Sequence, residues 1–450
     1  MELAIVGGLA ATSIYYRFTI NYRRKRKVIK AWNELMEELK LYSKKSNYIP
    51  QIIEVNFIGN GYILTIHIPT GLSLGEVEKY KETIENKFKG IVTIENIKFS
   101  SLVKVKVINK DIGNFKFEPV RALDNQIYLG KKLDGENYLI DINNNPHLLI
   151  AGQTGTGKTY LLASIITNLE YNSSKYIELY LCQTAKQEIG FLANLKSVKF
   201  NAKTLGETSF ILDNLVKKIQ NRSELFTSNG IRNLSHWNRK FKSRRMKRIY
   251  CVIEELSCYM PDESDNEEEK ELKAKCWSNI LKIVKLGRSS GIHFIGIVQR
   301  STVSNLGGNG DIKSQMTRVT FRQASTIDSQ NIIGNNMAID LTEREIVTST
   351  TDGYIQCKAP WIDEDFTILN KYVPEIVTAK NSLINKDSLL NKKPIDCSNG
   401  VARELPLYIT KTENKVDENE IATTKVIKKK IRKGMIEDWL LIEIKKYLNG

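Results

Sequence analysis

Histidine and cysteine are scarce: four and six residues in a chain of 450. His67, His147, His236 and His293 stand far apart, and no cysteines are spaced C-x-x-C, so neither a zinc ribbon nor a histidine metal site is written in the chain. Cys182, Cys251, Cys258, Cys276, Cys357 and Cys397 are scattered, with Cys182 and Cys251 inside apolar runs. That distribution excludes a disulfide frame and fits reduced thiols in a cytosolic domain. There is no proline- or glutamine-rich linker, no internal repeat and no sustained low-complexity stretch, which excludes solenoid and fibrous architectures. Negative charge is in deficit: 51 acidic residues face 67 basic ones, for a net charge of +16. An excess of that size favours an acidic partner, nucleic acid or an anionic membrane surface, although a solvated basic surface gives the same sum.

Long apolar runs are also lacking, with one exception. Leu3 to Tyr22 is mostly apolar, is interrupted by Arg17, and is followed by Arg23-Arg24-Lys25-Arg26-Lys27. About 20 residues are enough to span a bilayer. The positive charge follows the run, whereas a secretory signal carries it in front. The expectation is a single-pass membrane anchor at residues 1–22, with the rest of the chain held in the cytoplasm. An amphipathic or buried N-terminal helix in a cytoplasmic protein is the alternative.

Length and a 41% hydrophobic content allow two or three domains. Val28, Trp32, Leu35, Met36 and Leu39 recur at helical spacing and predict a basic juxtamembrane helix within 23–47. Residues 48–118 then read as a small α+β domain. Strands 52–57 and 62–68 flank Gly59-Asn60-Gly61, a helix over 73–88 starts at the capping pair Ser73 and Glu76, and strands 91–99 and 102–107 follow. Over 119–375, apolar strands at 147–151, 177–182, 248–253, 292–298 and 319–322 alternate with helical segments. The alternation predicts an α/β core with a mostly parallel sheet covered on both faces. The acidic run 262–271 reads as a solvated loop. Residues 376–450 read as a polar, basic tail with a lysine-rich run at 426–433 and an amphipathic helix at 435–448.

Within this core, Gly152-Gln153-Thr154-Gly155-Thr156-Gly157-Lys158-Thr159 fits G-x-x-x-x-G-K-[ST] at every fixed position. A strand precedes it and a helix follows, which is the context that a phosphate-binding loop requires. Glycines let backbone N–H groups turn around a phosphate, and the helix N-terminus adds positive dipole. Lys158 is the candidate contact to the β- and γ-phosphates of ATP, and Thr159 the candidate Mg²⁺ ligand. The apolar strand 249–253 ends in Glu254-Glu255, a pair placed to support Mg²⁺ (Glu254) and to activate water (Glu255). Strand 292–298 ends at Gln299, an amide suited to sensing the γ-phosphate. Arg288, Arg300, Arg318 and Arg322 are candidates for an arginine that reaches a neighbouring subunit's nucleotide, with surface ion pairs as the plainer alternative for each.

Several of these segments together resemble the FtsK/SpoIIIE family of DNA-translocating ATPases. Pro146 to Thr159 resembles that family's P-H-L-L-[IV]-A-G-x-T-G-S-G-K-[ST], and Gly287-Arg288-Ser289-Ser290-Gly291-Ile292-His293 its G-R-[AS]-[AS]-G-I-H. Gln299-Arg300 stands where the family has Q-R-P, with Ser301 in place of the proline. Gly230-Ile231-Arg232-Asn233-Leu234 with Trp237-Asn238 resembles G-x-R-[ND]-I…Y-N. The chain departs at Thr184-Ala185-Lys186 (usually D-P-K), at Glu254 (usually Asp) and at Thr342-Glu343-Arg344-Glu345 (usually glycine-rich). The resemblance implies a RecA-like motor working as a hexamer with ATP between subunits. With neither a four-helix membrane region nor a C-terminal winged helix, the chain is most similar to the coupling proteins of Gram-positive conjugative elements. That similarity implies DNA, a relaxase and a type IV secretion channel as partners. A cytosolic plasmid or phage DNA motor, and a nucleotide-gated adaptor without turnover, are the alternatives.

Overall fold

The computed structural model describes residues 2–184, 186–299, 311–351 and 353–378, without the side chains of residues 2–19 and 311–312. Arg300 and the tail from residue 379 lie outside the described residues, so the readings placed on them are not addressed by it.

Helix α1 (Glu2–Glu38) opens the chain. Its last turns do not stand free beside a membrane. Trp32, Leu35 and Met36 are buried against a four-stranded sheet of β1 (Gln51–Ile58), β2 (Gly61–His67), β3 (Ile91–Asn96) and β4 (Leu102–Ile108). The strands run antiparallel in the order β1-β2-β4-β3. Period-two alternation sends Tyr62, Leu64 and Ile66 of β2, and Val103, Val105 and Val107 of β4, into the same core. The Trp32 indole N–H donates to Pro50 O at 2.8 Å, which lets its polar edge be buried. The helix expected over 73–88 forms as two, α2 (Leu74–Glu78) and α3 (Lys81–Phe88). Ser73 and Glu76 make the reciprocal capping box at its start.

The structure does not support the spanning anchor expected at residues 1–22. The segment is helical, but among the described residues no helix is long and apolar enough to cross a membrane. Arg17, Thr12, Ser13, Thr19 and Asn21 dilute the apolar run, and its continuation, from Val28 onward, is spent on the core of the small domain.

The rest of the described chain builds one sheet of ten strands: β5 (Gln126–Lys132), β6 (Asn137–Asp141), β7 (Leu148–Ala151), β8 (Ile177–Cys182), β9 (Val198–Ala202), β10 (Arg248–Ile253), β11 (Ile292–Val298), β12 (Thr317–Thr320), β13 (Glu345–Thr350) and β14 (Gly353–Lys358). The order is β6-β5-β14-β13-β12-β7-β11-β10-β8-β9. The run β12-β7-β11-β10-β8-β9 is parallel, and β13, β14, β5 and β6 extend it antiparallel.

Both faces of the parallel strands are covered, which is why they read as unbroken apolar runs. One face packs on α4 (Lys158–Ser173), where Leu162, Ile165 and Ile166 meet Leu148, Ile150, Leu179 and Val252. The other packs on α5 (Leu205–Ser228) and α7 (Glu267–Ser290), where Ile211, Leu215, Ile280 and Ile283 meet Leu149, Cys251 and Ile253. Shorter helices α6 (Leu234–Lys240), α8 (Asp311–Ser314), α9 (Thr326–Ile333) and α10 (Thr367–Asn370) close the periphery. The acidic run expected as a loop is partly helix. Asn266 caps α7 with Glu269 in a capping box, and Glu267, Glu268 and Glu269 occupy its first turn, where the helix dipole favours carboxylates.

The carboxyl ends of β7, β11, β10 and β8 therefore meet along one edge. Loops there are the usual place for a ligand in an open parallel sheet.

Candidate active site

β7 is buried along its whole length and ends at Ala151, and the chain must turn from there into α4. Gly152, Gly155 and Gly157 make that turn with φ of +155°, +80° and +105°, values that a side chain would strain. At Gly152 a Cβ would also lie 2.8 Å from both Phe321 Cβ and Thr156 Oγ1. Gly157 brings no capping side chain to α4, which leaves the first-turn amides for an anion. The loop is tied down by its neighbours: Gln153 N–H donates to Arg322 O (3.3 Å), and Thr156 Oγ1 to Gln153 O (2.7 Å).

Lys158 is buried, and its Nζ donates to the loop's own carbonyls at Gly152 (2.7 Å) and Gln153 (2.6 Å). Burial pushes its pKa down to about 8, with the negative charge of Glu255 opposing that fall. Thr159 Oγ1 donates to Glu188 Oε2 at 3.1 Å, and Thr154 Oγ1 to Gln299 Oε1 at 3.2 Å. These groups line a cleft of about 250 Å³, together with Lys186 and Glu254.

The two carboxylates at the tip of β10 behave differently. Glu254 accepts the backbone N–H of Gln187 (3.0 Å, Oε2) and of Glu188 (2.5 Å, Oε1), and burial pushes its pKa up. Glu255 is buried as well. It accepts the Ser257 hydroxyl at 2.8 Å and sits near enough for its charge to act on Lys158.

The structure thus brings Gly152, Gln153, Thr154, Gly155, Thr156, Gly157, Lys158 and Thr159 together with Glu254, Glu255 and Gln299. Of the candidate arginines among the described residues, it brings none. Arg288, in the last turn of α7, donates from Nε to Asn143 O (2.9 Å), at the opposite ends of the strands from the loop. Arg318 donates to Ser349 Oγ (2.7 Å) within the sheet. Arg322 touches the loop only through its carbonyl oxygen, and among the described residues no arginine lines the cleft.

Glu188 is a cleft residue that sequence reasoning missed, and Lys186 was read only as part of a motif. Both follow β8, whose carboxyl end lies beside that of β10. A Lys-Gln-Glu run four residues past the end of a buried parallel strand was the available signal. Two of the histidines, far apart in sequence, come together in the fold. His293 Nδ1 contacts Pro146 O (2.7 Å) and its Nε2 faces Arg248 Nη1 (2.8 Å), while His147 Nδ1 accepts Phe294 N–H (3.0 Å). Burial holds both rings well below the ordinary histidine pKa, so this network is a neutral structural brace at the foot of β7 and β11.

Residues 120–303 match the FtsK/SpoIIIE family. The chain is 29% identical over 246 residues to a protein named DNA translocase FtsK from Caldanaerobacter subterraneus subsp. tengcongensis, covering 54% of this chain and 32% of that one. It is 26% identical over 317 residues to the DNA translocase FtsK of Helicobacter pylori strain J99, covering 68% of this chain and 36% of that one. The chain therefore spans about a third of the length of these curated relatives. Among solved structures, the pCW3 conjugation coupling protein TcpA, in a monomer form with ATPγS, has a similar fold. The TM-score is 0.55 at 20% identity, with 77% of this chain and 99% of that chain covered.

Proposed function

We propose, for a chain whose residues 120–303 place it in the FtsK/SpoIIIE family, that it hydrolyses ATP and spends the energy moving DNA. The observation that carries this reading is a buried lysine held on its own loop's carbonyls, at the N-terminus of an uncapped helix. A buried ammonium with two carbonyl partners is poised to exchange them for phosphate oxygens, which satisfy it better.

The residues fit a magnesium nucleotide. The glycines of the turn carry no side chain toward the cleft, and Thr159 and Glu188 place a hydroxyl and a carboxylate side by side. Bound there, ATP would supply the anhydride to be split, and Mg²⁺ would offset the charge of its phosphates. Gly152 to Thr159 would hold the phosphates, Lys158 would neutralise them, and Gln299 would orient the attacking water. Glu255 would take that water's proton. Lys186 lines the cleft, and a further positive group to offset developing charge would be an arginine of a second copy. That arrangement puts ATP between subunits, and we take Arg288 or Arg300 of a neighbour as the donor in a hexameric ring. A net charge of +16 suits contacts to DNA phosphates, which are sequence-tolerant and salt-sensitive.

The setting we propose is conjugative transfer, with a relaxase and a type IV secretion channel as partners. Its support is likeness of architecture to a conjugation coupling protein. One observation favours a second reading, a nucleotide-gated adaptor without turnover: both oxygens of Glu254 are taken by backbone amides. Phosphate release from Mg·ATP, with and without long DNA, separates the two. The motor reading expects DNA-stimulated release that Lys158→Ala abolishes without lowering the melting temperature. Tight nucleotide binding with no release by the wild type would leave only the adaptor.

A further inference from the structure

The segment after β8 is held in place at two points. Thr184 Oγ1 shares a hydrogen with Tyr259 Oη (2.7 Å), and the Glu254 carboxylate binds the amides of Gln187 and Glu188. Between them the backbone is strained: Gln187 has φ of +56°, a left-handed conformation that a glutamine adopts only when its surroundings insist. That turn, with Ile189 fully buried behind it, aims two consecutive amides at one carboxylate and leaves the Glu188 side chain exposed in the phosphate cleft. There its Oε2 stands 3.1 Å from Thr159 Oγ1.

The division of labour between the two carboxylates follows. Glu254 is buried and each of its oxygens already accepts a backbone amide, so any bond from it to a cation would have to share an oxygen with that amide. Glu188 has a carboxylate on the cleft and a threonine hydroxyl beside it. Mg²⁺ is usually held by one or two carboxylates together with substrate phosphates rather than by an all-protein cage. Among the described residues no cluster of three metal-ligating side chains competes with that arrangement. In an octahedron with bonds of roughly 2.1 Å, adjacent oxygens lie about 3.0 Å apart. The Thr159–Glu188 pair, at 3.1 Å, is already close to that edge.

Resting on the ATP reading above, we infer that Glu188 and Thr159 are this protein's own ligands to the nucleotide's Mg²⁺. Glu254 is a positioning residue that holds the segment bearing Glu188.

The test uses the full chain and a fluorescent ADP analogue, titrated in EDTA and again in Mg²⁺. The ratio of the two affinities reports the metal's contribution without any turnover. Glu188→Gln is expected to bind the analogue in EDTA no more weakly than wild type, because a negative charge beside the phosphates is removed, and to cut the Mg²⁺ enhancement at least tenfold. Mn²⁺ bound with ADP, followed by electron paramagnetic resonance, should be released by the same variant. Glu254→Gln is expected instead to raise hydrogen exchange at the Gln187 and Glu188 amides, with a smaller loss of enhancement. Full enhancement in Glu188→Gln, together with its loss in Glu254→Gln at unchanged amide exchange, overturns the inference and returns the metal to Glu254. A wild type that binds the analogue in neither EDTA nor Mg²⁺ overturns the ATP reading itself, which is a different result.

Discussion

Binding of a nucleotide at high pH should draw a proton from solution, and the amount follows from Lys158. Burial holds its pKa at about 8 in the free site. A phosphate in place of the loop carbonyls favours the ammonium, so the bound value should return toward the ordinary lysine value of about 10.4. At pH 9.2 the free lysine is then about 6% charged and the bound lysine more than about 90% charged, an uptake of roughly 0.9 proton. At pH 7 the same arithmetic gives only about 0.1 proton. ADP is fully ionised at the higher pH, so the uptake belongs to the protein. Isothermal titration with ADP at pH 9.2, in two buffers of different ionisation enthalpy, measures it directly. The sign is fixed by linkage: affinity must fall as pH rises through the window from about 8 to 10.4, by nearly tenfold per unit. Stability of the free protein moves the other way. The unfolded chain binds more protons than the folded one in that window, so the lysine's burial penalty fades as pH rises. Uptake below about 0.3 proton at pH 9.2, or equal uptake by Lys158→Ala, would refute the reasoning.

Glu255 is buried at the tip of β10 with one oxygen bonded to Ser257. As the general base it should be worth about 10²–10⁴ in rate, so Glu255→Gln is expected to bind ATP normally and release phosphate that much more slowly in a single-turnover assay. A rate equal to wild type removes it from the role. The buried pair His147 and His293 should make the protein acid-labile. Each has a ring nitrogen that faces a fixed donor, Phe294 N–H and the Arg248 guanidinium, so neither can take a proton without breaking that contact. Their pKa values are depressed on folding. The stability they support is complete above about pH 6.5 and is lost as pH falls, by about 1.4 kcal/mol for each ring at pH 5.5. Glu170 and Glu254, raised by burial, act in the opposite sense. Ring resonances followed by NMR in the folded protein are therefore the cleaner readout, and a midpoint near 6.5 for either ring would defeat the claim.

The phosphate loop was legible because its information is local. Gly152, Gly155 and Gly157 sit at spacings set by one turn of chain, and their positive φ values are needed wherever that turn occurs. The parallel core strands were legible because burial on both faces leaves an apolar run with no polar interruption. The end of β10 was legible for the same reason, since two carboxylates after six buried residues mark where the apolar strand gives way to a polar site. The acidic run was misread because charge density was weighed and capping was not: Asn266 followed by Glu269 is a helix start. The N-terminal run was read as a span from its length, whereas Arg17 and the polar residues Thr12, Ser13, Thr19 and Asn21 leave it less apolar than a crossing helix needs.

Composition and short-range order in the chain sufficed for a phosphate loop, a doubly covered sheet, a net positive charge and a family resemblance. Each depends on residues within about one turn or one strand of each other, whose geometry the backbone dictates. Which strand tips share an edge depends on crossovers that no local pattern encodes. Only the folded chain puts Glu188 against Thr159, gives both oxygens of Glu254 to a strained loop, and leaves Arg288 at the far end of the strands. These are contacts between segments distant in sequence, and the packing of the sheet, not the spacing of letters, decides them.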